Sequence, residues 1–513
     1  MKELLVKFLC VLSIGSVCMG LELPSFFSNG MVLQRDSEAP IWGRCHPMEK
    51  VVVTFGDGFY TAFADEEGAW EISLNNLAAS SVGKDLLITT DSSQITIKDV
   101  LVGEVWIASG QSNMEWPMRC SYSNQTVYNS PLIRQFSGSN ASSAHPEYNF
   151  SGKWKKGVGN DISNFSAVAY HFAESIQAEL QVPVGIIELA WGGRPIQSFT
   201  RREVITKLPE AKRYLINEEF AIEHYNNSTT VEGREKFRVL FHQYEGLLSE
   251  WEKGGSVGAP PKKPVFPENP IGDSRYPSAI YNGMIHPFIG YGLRGVIWYQ
   301  GENNTHGPQA TNYGELLEAM VNDWRSQWEM EFPFYWVQLA SYMEQSNNPN
   351  QDSGWVHVQD EQRRALDTIP NSGMAVISDI GDAKDIHPAN KKDVGKRLAR
   401  WALAKSYHVT DIDYSGPLYS GTHFENEKAV ISFHYADGLK SMDGKPLQHF
   451  ALAGEDGKWV WANATINGDK VVVTSPHVSR ACKVRYAWLE NAMGANLTNR
   501  SGLPASCFAS EVE

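Results

Sequence analysis

Val105-Trp106-Ile107-Ala108-Ser109-Gly110-Gln111-Ser112-Asn113 is the stretch from which the rest of the chain can be read. A short apolar run bounded by turn residues has the pattern of a buried strand. A strand that stops at a glycine and presents a serine at the next turn exposes a hydroxyl nucleophile. Serine in a Gly/Asn turn is also ordinary turn chemistry, so the nucleophilic reading of Ser112 depends on partners supplied elsewhere. Met114-Glu115-Trp116-Pro117 then leaves the strand pattern.

The same rhythm recurs downstream. Val184-Gly185-Ile186-Ile187-Glu188-Leu189-Ala190, residues 293–299 and Met374-Ala375-Val376-Ile377-Ser378 are further strand candidates, with helices expected over 168–179 and 316–328. Strands alternating with helices imply a parallel sheet covered on both faces, an α/β domain of three layers. Active sites of such sheets lie beyond the carboxyl ends of the strands. Upstream, residues 21–100 form a β unit, with strand signals at 51–55 and 86–90 and turns at Gly56-Asp57-Gly58 and Glu67-Gly68. From 411 to 513 the chain is β-rich again, with strands at 429–433 and 470–474 and four Asp-Gly or Asn-Gly turns. Both flanks are expected to be β-sandwich-type. Residues 201–275 interrupt the α/β domain of 101–410 as a helical insertion. In it Phe237, Leu240, Phe241, Tyr244, Leu248 and Trp251 mark one apolar helical face, read as core, and 254–270 is a loop.

The 513 residues exceed one domain, and 42% apolar against 20% charged content is that of a globular chain. A net charge of -14 argues against nucleic acid and anionic membranes as general partners while leaving room for a locally basic pocket. Residues 1–20 read as a secretion signal: Lys2 and Lys7, an apolar stretch over 8–19 too short to span a bilayer, and small residues up to Gly20. No later segment suits a membrane helix, so an exported protein, periplasmic or secreted, without stable membrane insertion is expected. Export permits disulfides among Cys45, Cys120, Cys482 and Cys507, and free thiols are equally compatible with their spacing.

Three motifs could serve Ser112. Trp191-Gly192-Gly193-Arg194-Pro195-Ile196 follows the 184–190 strand, and paired glycines let a backbone N–H approach a ligand. Tyr299-Gln300-Gly301-Glu302-Asn303 follows the next strand, where the Asn303 amide is either an oxyanion donor or an Asx cap. Asp379-Ile380-Gly381-Asp382-Ala383-Lys384-Asp385-Ile386-His387-Pro388 precedes a helix. Pro388 suits its first turn, and His387 near the positive end of the helix dipole would stay a neutral base. Arg194 has the fork to meet a substrate carboxylate. Gln111, Gln300 and Glu302, on the same turns, are further substrate-binding candidates. No zinc-type ligand cluster and no Walker-type loop is found, so no metal or cofactor is expected.

The set Gly110-Gln111-Ser112-Asn113, Gly192-Gly193-Arg194-Pro195-Ile196, Gln300-Gly301-Glu302-Asn303 and Asp385-Ile386-His387-Pro388 resembles the SGNH-hydrolase superfamily, and within it the sialate O-acetylesterase family of carbohydrate acetylesterases. Residues 23–35, Tyr281-Asn282-Gly283-Met284-Ile285 and Gly502-Leu503-Pro504-Ala505-Ser506 share the likeness. The resemblance implies a flavodoxin-like fold with Ser112 as nucleophile, His387 as base, and Ser112, Gly193 and Asn303 as oxyanion hole. It implies an O-acetylated sugar substrate, sialic acid above all. One position departs from the superfamily pattern: the residue three before the histidine is Lys384, not aspartate. Asp385 is the preferred third member; Asp382, Asp379 or a backbone carbonyl are the alternatives. Two rival functions stand beside this reading, an esterase for acetylxylan or another polysaccharide, and an inactive carbohydrate-binding protein.

Overall fold

Alternation of apolar and polar side chains follows the pleat through the N-terminal β unit. In the computed structural model, which describes residues 20–121 and 129–510, Val51, Val53 and Phe55 point inward along one strand while their neighbours are half-buried or exposed. The strands are β1 (Val32–Gln34), β2 (Ala39–Arg44), β3 (Lys50–Phe55), β4 (Gly58–Phe63), β5 (Ala69–Leu74) and β6 (Ser80–Thr89). β3 pairs antiparallel with β4 and β6, and β2 with β5. Apart from Gly20, the expected secretion signal lies outside the described residues.

β7 (Gln94–Gly110) joins this unit to the α/β domain. Its first part pairs antiparallel with β6 and parallel with β1, and its second part is central to the parallel sheet. The change of pattern at residue 101 therefore falls inside one continuous strand. The reason is burial: β7 is covered on one side only until the parallel sheet begins, after which every residue from Val100 to Gly110 is buried. The remaining strands are β8 (Ser130–Gly138), β9 (Gly152–Gly157), β10 (Val184–Ala190), β11 (Gly295–Tyr299), β12 (Phe334–Val337) and β13 (Ser372–Ala375), in the spatial order β13-β12-β11-β7-β10-β8-β9. All pair in parallel except β9, an antiparallel edge. β13 stops at Ala375, three residues short of the apolar run, and the next carbonyl, that of Val376, accepts from Arg397 Nη1 at 2.8 Å.

The helices are α1 (Ser112–Glu115), α2 (Ala167–Leu180), α3 (Arg202–Ile205), α4 (Ala211–Thr229), α5 (Val231–Lys253), α6 (Tyr313–Trp328), α7 (Gly354–Thr368) and α8 (Lys391–Trp401). α2 and α8 cover the face where Trp106 meets Phe172 and Tyr335, and α6 covers the face where Trp298 meets Trp324. Ser166 caps α2 by accepting from the Ala169 N–H at 3.2 Å. α5 departs from expectation. It has no buried residue: Leu240 is 53% exposed, while Phe237 and Phe241 are half-buried, Phe237 against Phe266 and Phe241 under Lys263. Its apolar face therefore packs on the 254–270 loop in place of a sheet. After residue 417, strands Leu418–Glu425, Lys428–His434, Lys470–Thr474 and Asn463–Asn467 form one antiparallel sheet and four shorter strands another. Ile431, Val471, Leu452 and Val484 lie in a core of their own between them. Cys45, Cys120, Cys482 and Cys507 are all free thiols.

One buried charge ties the N-terminal unit to the parallel sheet. Glu104 on β7 is fully buried and accepts from Arg35 Nε at 2.5 Å, Arg294 Nε at 2.8 Å and Gln34 Nε2 at 3.1 Å. Burial pushes its carboxyl up, but Arg294, then Arg35 and Gln34, outweigh it and hold the pKa below 4.5. A lowered carboxylate stabilises the fold above its unfolded pKa and loses that contribution as pH falls through the folded one. Glu104→Ala, which strands two arginines, is expected to destabilise by about 3–5 kcal/mol at pH 7 in urea unfolding. The gap from the wild type should narrow as the pH is taken below about 4.

Candidate active site

β10 and β11 flank β7 in a register that brings three chain ends level. Ala190 and Tyr299 are both paired with Gly110. The turns that follow, carrying Ser112, Gly193 and Asn303, consequently emerge side by side at the carboxyl edge. From β7 the chain passes first to β8 and β10 on one side and then to β11 on the other, so this edge is a topological switch point. Gly110 is at φ +132°, and a Cβ there would lie 2.2 Å from the Tyr299 carbonyl oxygen. Glycine is thus required both by conformation and by close approach. The Gln111 N–H donates to that same carbonyl at 2.9 Å and starts the helical turn that opens at Ser112.

His387 Nε2 lies 2.8 Å from Ser112 Oγ. The indole of Trp116 stacks on the imidazole at 4.4 Å between centroids and 13° between planes, fixing the ring's orientation. Asp385 is the carboxylate on the other ring nitrogen: its Oδ1 is 3.4 Å from Nδ1 and also accepts the His387 backbone N–H at 2.8 Å. Asp379 is engaged by both Arg397 nitrogens at 2.6 Å, and Asp382 accepts from the Lys384 N–H, so neither serves the histidine. The expectation that Pro388 opens the helix is corrected. Asn390 caps α8 and the helix begins at Lys391, so the dipole end is not at His387. Burial is what lowers the His387 pKa below 6.5; the charge of Lys391 adds to it and Asp385 opposes it.

On the oxyanion side, Gly193 is at φ +67° with open space where a side chain would be. Asn303 Nδ2 donates to the Gly193 carbonyl at 3.0 Å, which leaves its second amide proton for another acceptor. Three residues expected to meet substrate face the protein instead. Gln300 is fully buried, donating to Gln111 Oε1, the Arg194 carbonyl and Asn304 Oδ1 and accepting from the Tyr313 hydroxyl at 2.7 Å. Gln111 Oε1 also accepts from the Asn303 N–H. Glu302 accepts from Asn113 Nδ2 at 2.5 Å. These buried amides knit the turns together because each turn leaves backbone groups that need partners. Arg194 is half-buried at the rim, stacked on Trp191 and donating to Ser274 Oγ at 2.8 Å.

Other contributors carried no sequence signal of their own. Glu115 Oε2 accepts the Gly192 N–H at 2.8 Å and so presents the glycine pair to the site. Asn304 accepts the Ile196 N–H at 3.1 Å and binds that turn to the Gln300 turn. Lys391 donates to Asn113 Oδ1 from a fully buried position.

A family described as "Carbohydrate esterase, sialic acid-specific acetylesterase" matches residues 249–404. The chain is 26% identical to the sialate O-acetylesterase of Rattus norvegicus, covering 96% of this chain and 95% of that protein. It is 25% identical to the human sialate O-acetylesterase, over 92% and 88%. The crystal structure of a novel carbohydrate acetylesterase from Xanthomonas citri superposes with a TM-score of 0.80 at 32% identity, over 96% of this chain and all of that one.

The exposed Asp385, at 3.4 Å, supports the imidazole less than a buried, close partner does. Asp385→Asn is expected to lower kcat/KM on a chromogenic acetate ester by about ten- to a hundredfold, short of the ~10⁴ that a buried triad aspartate is worth. In the wild-type protein, the acid limb of the kcat/KM–pH profile should have its midpoint below the ordinary imidazole value of 6.5.

Proposed function

The chain belongs to the sialate O-acetylesterase family, a group of carboxylic ester hydrolases acting on O-acetylated sugars, and from that premise we propose an exported serine esterase that releases acetate from O-acetylated sialic acid through an acetyl-serine intermediate. The observation that carries the mechanism is the 2.8 Å contact between Ser112 Oγ and His387 Nε2. His387 takes the hydroxyl proton as Ser112 attacks the acetyl carbonyl. The N–H groups of Ser112 and Gly193 and the free proton of the Asn303 amide receive the oxyanion, each such donor being worth about 3–4 kcal/mol in the transition state. The imidazolium protonates the departing sugar hydroxyl, and water activated by the same ring then hydrolyses the acetyl-serine. Asp385 holds the ring N–H opposite.

A cavity of about 300 Å³ adjoins the oxyanion side and supports the acidic-sugar reading. Gly193, Arg194 and Asn303 are at one end, and Arg213, Tyr214 and Arg275 reach it from the insertion. Arg275 is held by Asp273 and Arg213 by Glu210, whereas Arg194 pairs with no carboxylate among the described residues. A guanidinium on the cavity wall, with Asp273 and Glu115 acting on it only from beyond ion-pair distance, has donors to spare for a substrate carboxylate. Export rests on the lysine-flanked apolar stretch before Gly20; no helix of the described residues is long and apolar enough to cross a membrane.

Ser112→Ala is expected to abolish hydrolysis of a chromogenic acetate ester, leaving at most a residual rate about 10⁻⁴ or less of the wild type. Equal rates would defeat the esterase mechanism. Acetate release should be faster from O-acetylated sialic acid than from acetylxylan, and Arg194→Met should lower kcat/KM for the former by about tenfold or more while affecting acetylxylan less. Preferential cleavage of acetylxylan by the wild type would replace the acidic-sugar assignment with a neutral polysaccharide one.

A further inference from the structure

Directly beneath the serine and histidine lies a buried amine–amide–carboxyl set that the proposed reaction does not use. Lys391, the first residue of α8, is fully buried. Its Nζ donates to Asn113 Oδ1 and lies 5.8 Å from the Trp116 ring centroid and 5.6 Å from that of Tyr299. Asn113 Nδ2 donates to Glu302 Oε1 at 2.5 Å and to the Ile386 carbonyl at 3.0 Å. The second oxygen of Glu302 is buried with no hydrogen-bond partner among the described residues. Each part is one step from the dyad. Asn113 follows Ser112, Ile386 precedes His387, and the indole facing the Lys391 ammonium is the one stacked on the His387 ring.

If this set only filled space, an apolar side chain at 391 would do so without the desolvation cost of a buried ammonium. A cation here has a specific electrostatic effect. Burial pulls the Lys391 amine down to about 7 and pushes the Glu302 carboxyl up, while the lysine in turn lowers His387. The charged groups around the imidazole oppose one another: Asp385 on the loop favours its protonated form and Lys391 disfavours it, with Glu302 on the β11 turn sustaining the lysine's charge. Below neutrality the amine is charged, which is where an isolated histidine would begin to protonate and stop acting as a base.

We propose that Lys391, braced by Asn113 and Glu302, is a positioning residue that keeps His387 in its free-base form in mildly acidic solution and locks the histidine loop to the nucleophile turn. This rests on the Ser112–His387 reading. It extends that reading by naming what sets the working pH range of the base.

The test is the pH profile of kcat/KM on a chromogenic acetate ester for the wild type, Lys391→Met and Lys391→Arg, with thermal unfolding measured alongside. Removing the cation lets the imidazole hold its proton to higher pH, so the acid-limb midpoint of Lys391→Met should rise by about one unit. Lys391→Arg keeps the charge and should keep the wild-type midpoint. A loss of packing alone would lower the unfolding temperature and leave the midpoint in place. An unshifted limb in a folded Lys391→Met protein overturns the proposal. If Lys391→Met does not fold, Glu302→Gln carries the test. Without the carboxylate the amine loses its charge at lower pH, so the limb should again move up; a limb that moves down or stays overturns the proposal. A Ser112→Ala protein that retains full activity would sink the dyad itself, whereas an inactive Ser112→Ala with an unmoved Lys391→Met limb would remove only the role of the lysine.

Discussion

The close approach of Gly110 to the Tyr299 carbonyl is the constraint on which the site depends. It sets the level at which β7 and β11 end, and the Ala190 pairing sets the same level for β10. Three turns that are far apart in the chain are thereby delivered to one edge. A shift of one residue in either pairing would turn the following loop to the opposite face of the sheet, because side chains alternate along a strand. The arrangement is held in addition by buried amides. Gln111, Gln300 and Asn304 satisfy one another and backbone groups of the turns at 192–196 and 300–304, so a displaced turn would leave polar groups buried without partners.

Much of this was legible in the amino-acid sequence, and the parts that were not have a common physical cause. Long apolar runs announced the parallel strands because both faces of such a sheet are covered, and the helices at Ala167–Leu180 and Tyr313–Trp328 showed their period plainly. Ser112, Gly193, Asn303, Asp385 and His387 stood out because each belongs to a turn that follows a strand or precedes a helix, and the structure brings all of them to one place. Glu115, Trp116 and Lys391 did not stand out. Their partners lie tens to hundreds of residues away, and nothing local distinguishes a buried lysine at the start of a helix from a solvated one. For the same reason Gln300 and Glu302 looked like ligand groups: polar residues in a glycine turn are exposed by default, and only tertiary burial reverses that. The apolar face of α5 misled in the opposite sense, since helical spacing reports amphipathicity without saying what covers it.

Electrostatically the site combines a base of lowered pKa with local positive charge on a chain that is negative overall. A protein of net charge -14 presents a cleft whose nearest groups include Arg194, Arg213 and Arg275. Such a cleft is locally positive against the general field of the surface, and the low dielectric of its walls makes each cation count for more than it would in solvent. Two of the three arginines are held by carboxylates, and the third, Arg194, is held by the Ser274 hydroxyl.

The continuity of β7 carries a consequence for how this protein unfolds and how it can be divided. A strand of 17 residues that pairs with β6 at one end and with β10 and β11 at the other cannot be cut between its two sheets without exposing unsatisfied backbone on both. The amino-terminal β unit is therefore no detachable module. The shared strand couples its unfolding to that of the sheet that presents the serine, and a chimaera that exchanges it for a relative's must take its junction outside 94–110, or inherit a broken ladder at the base of the nucleophile.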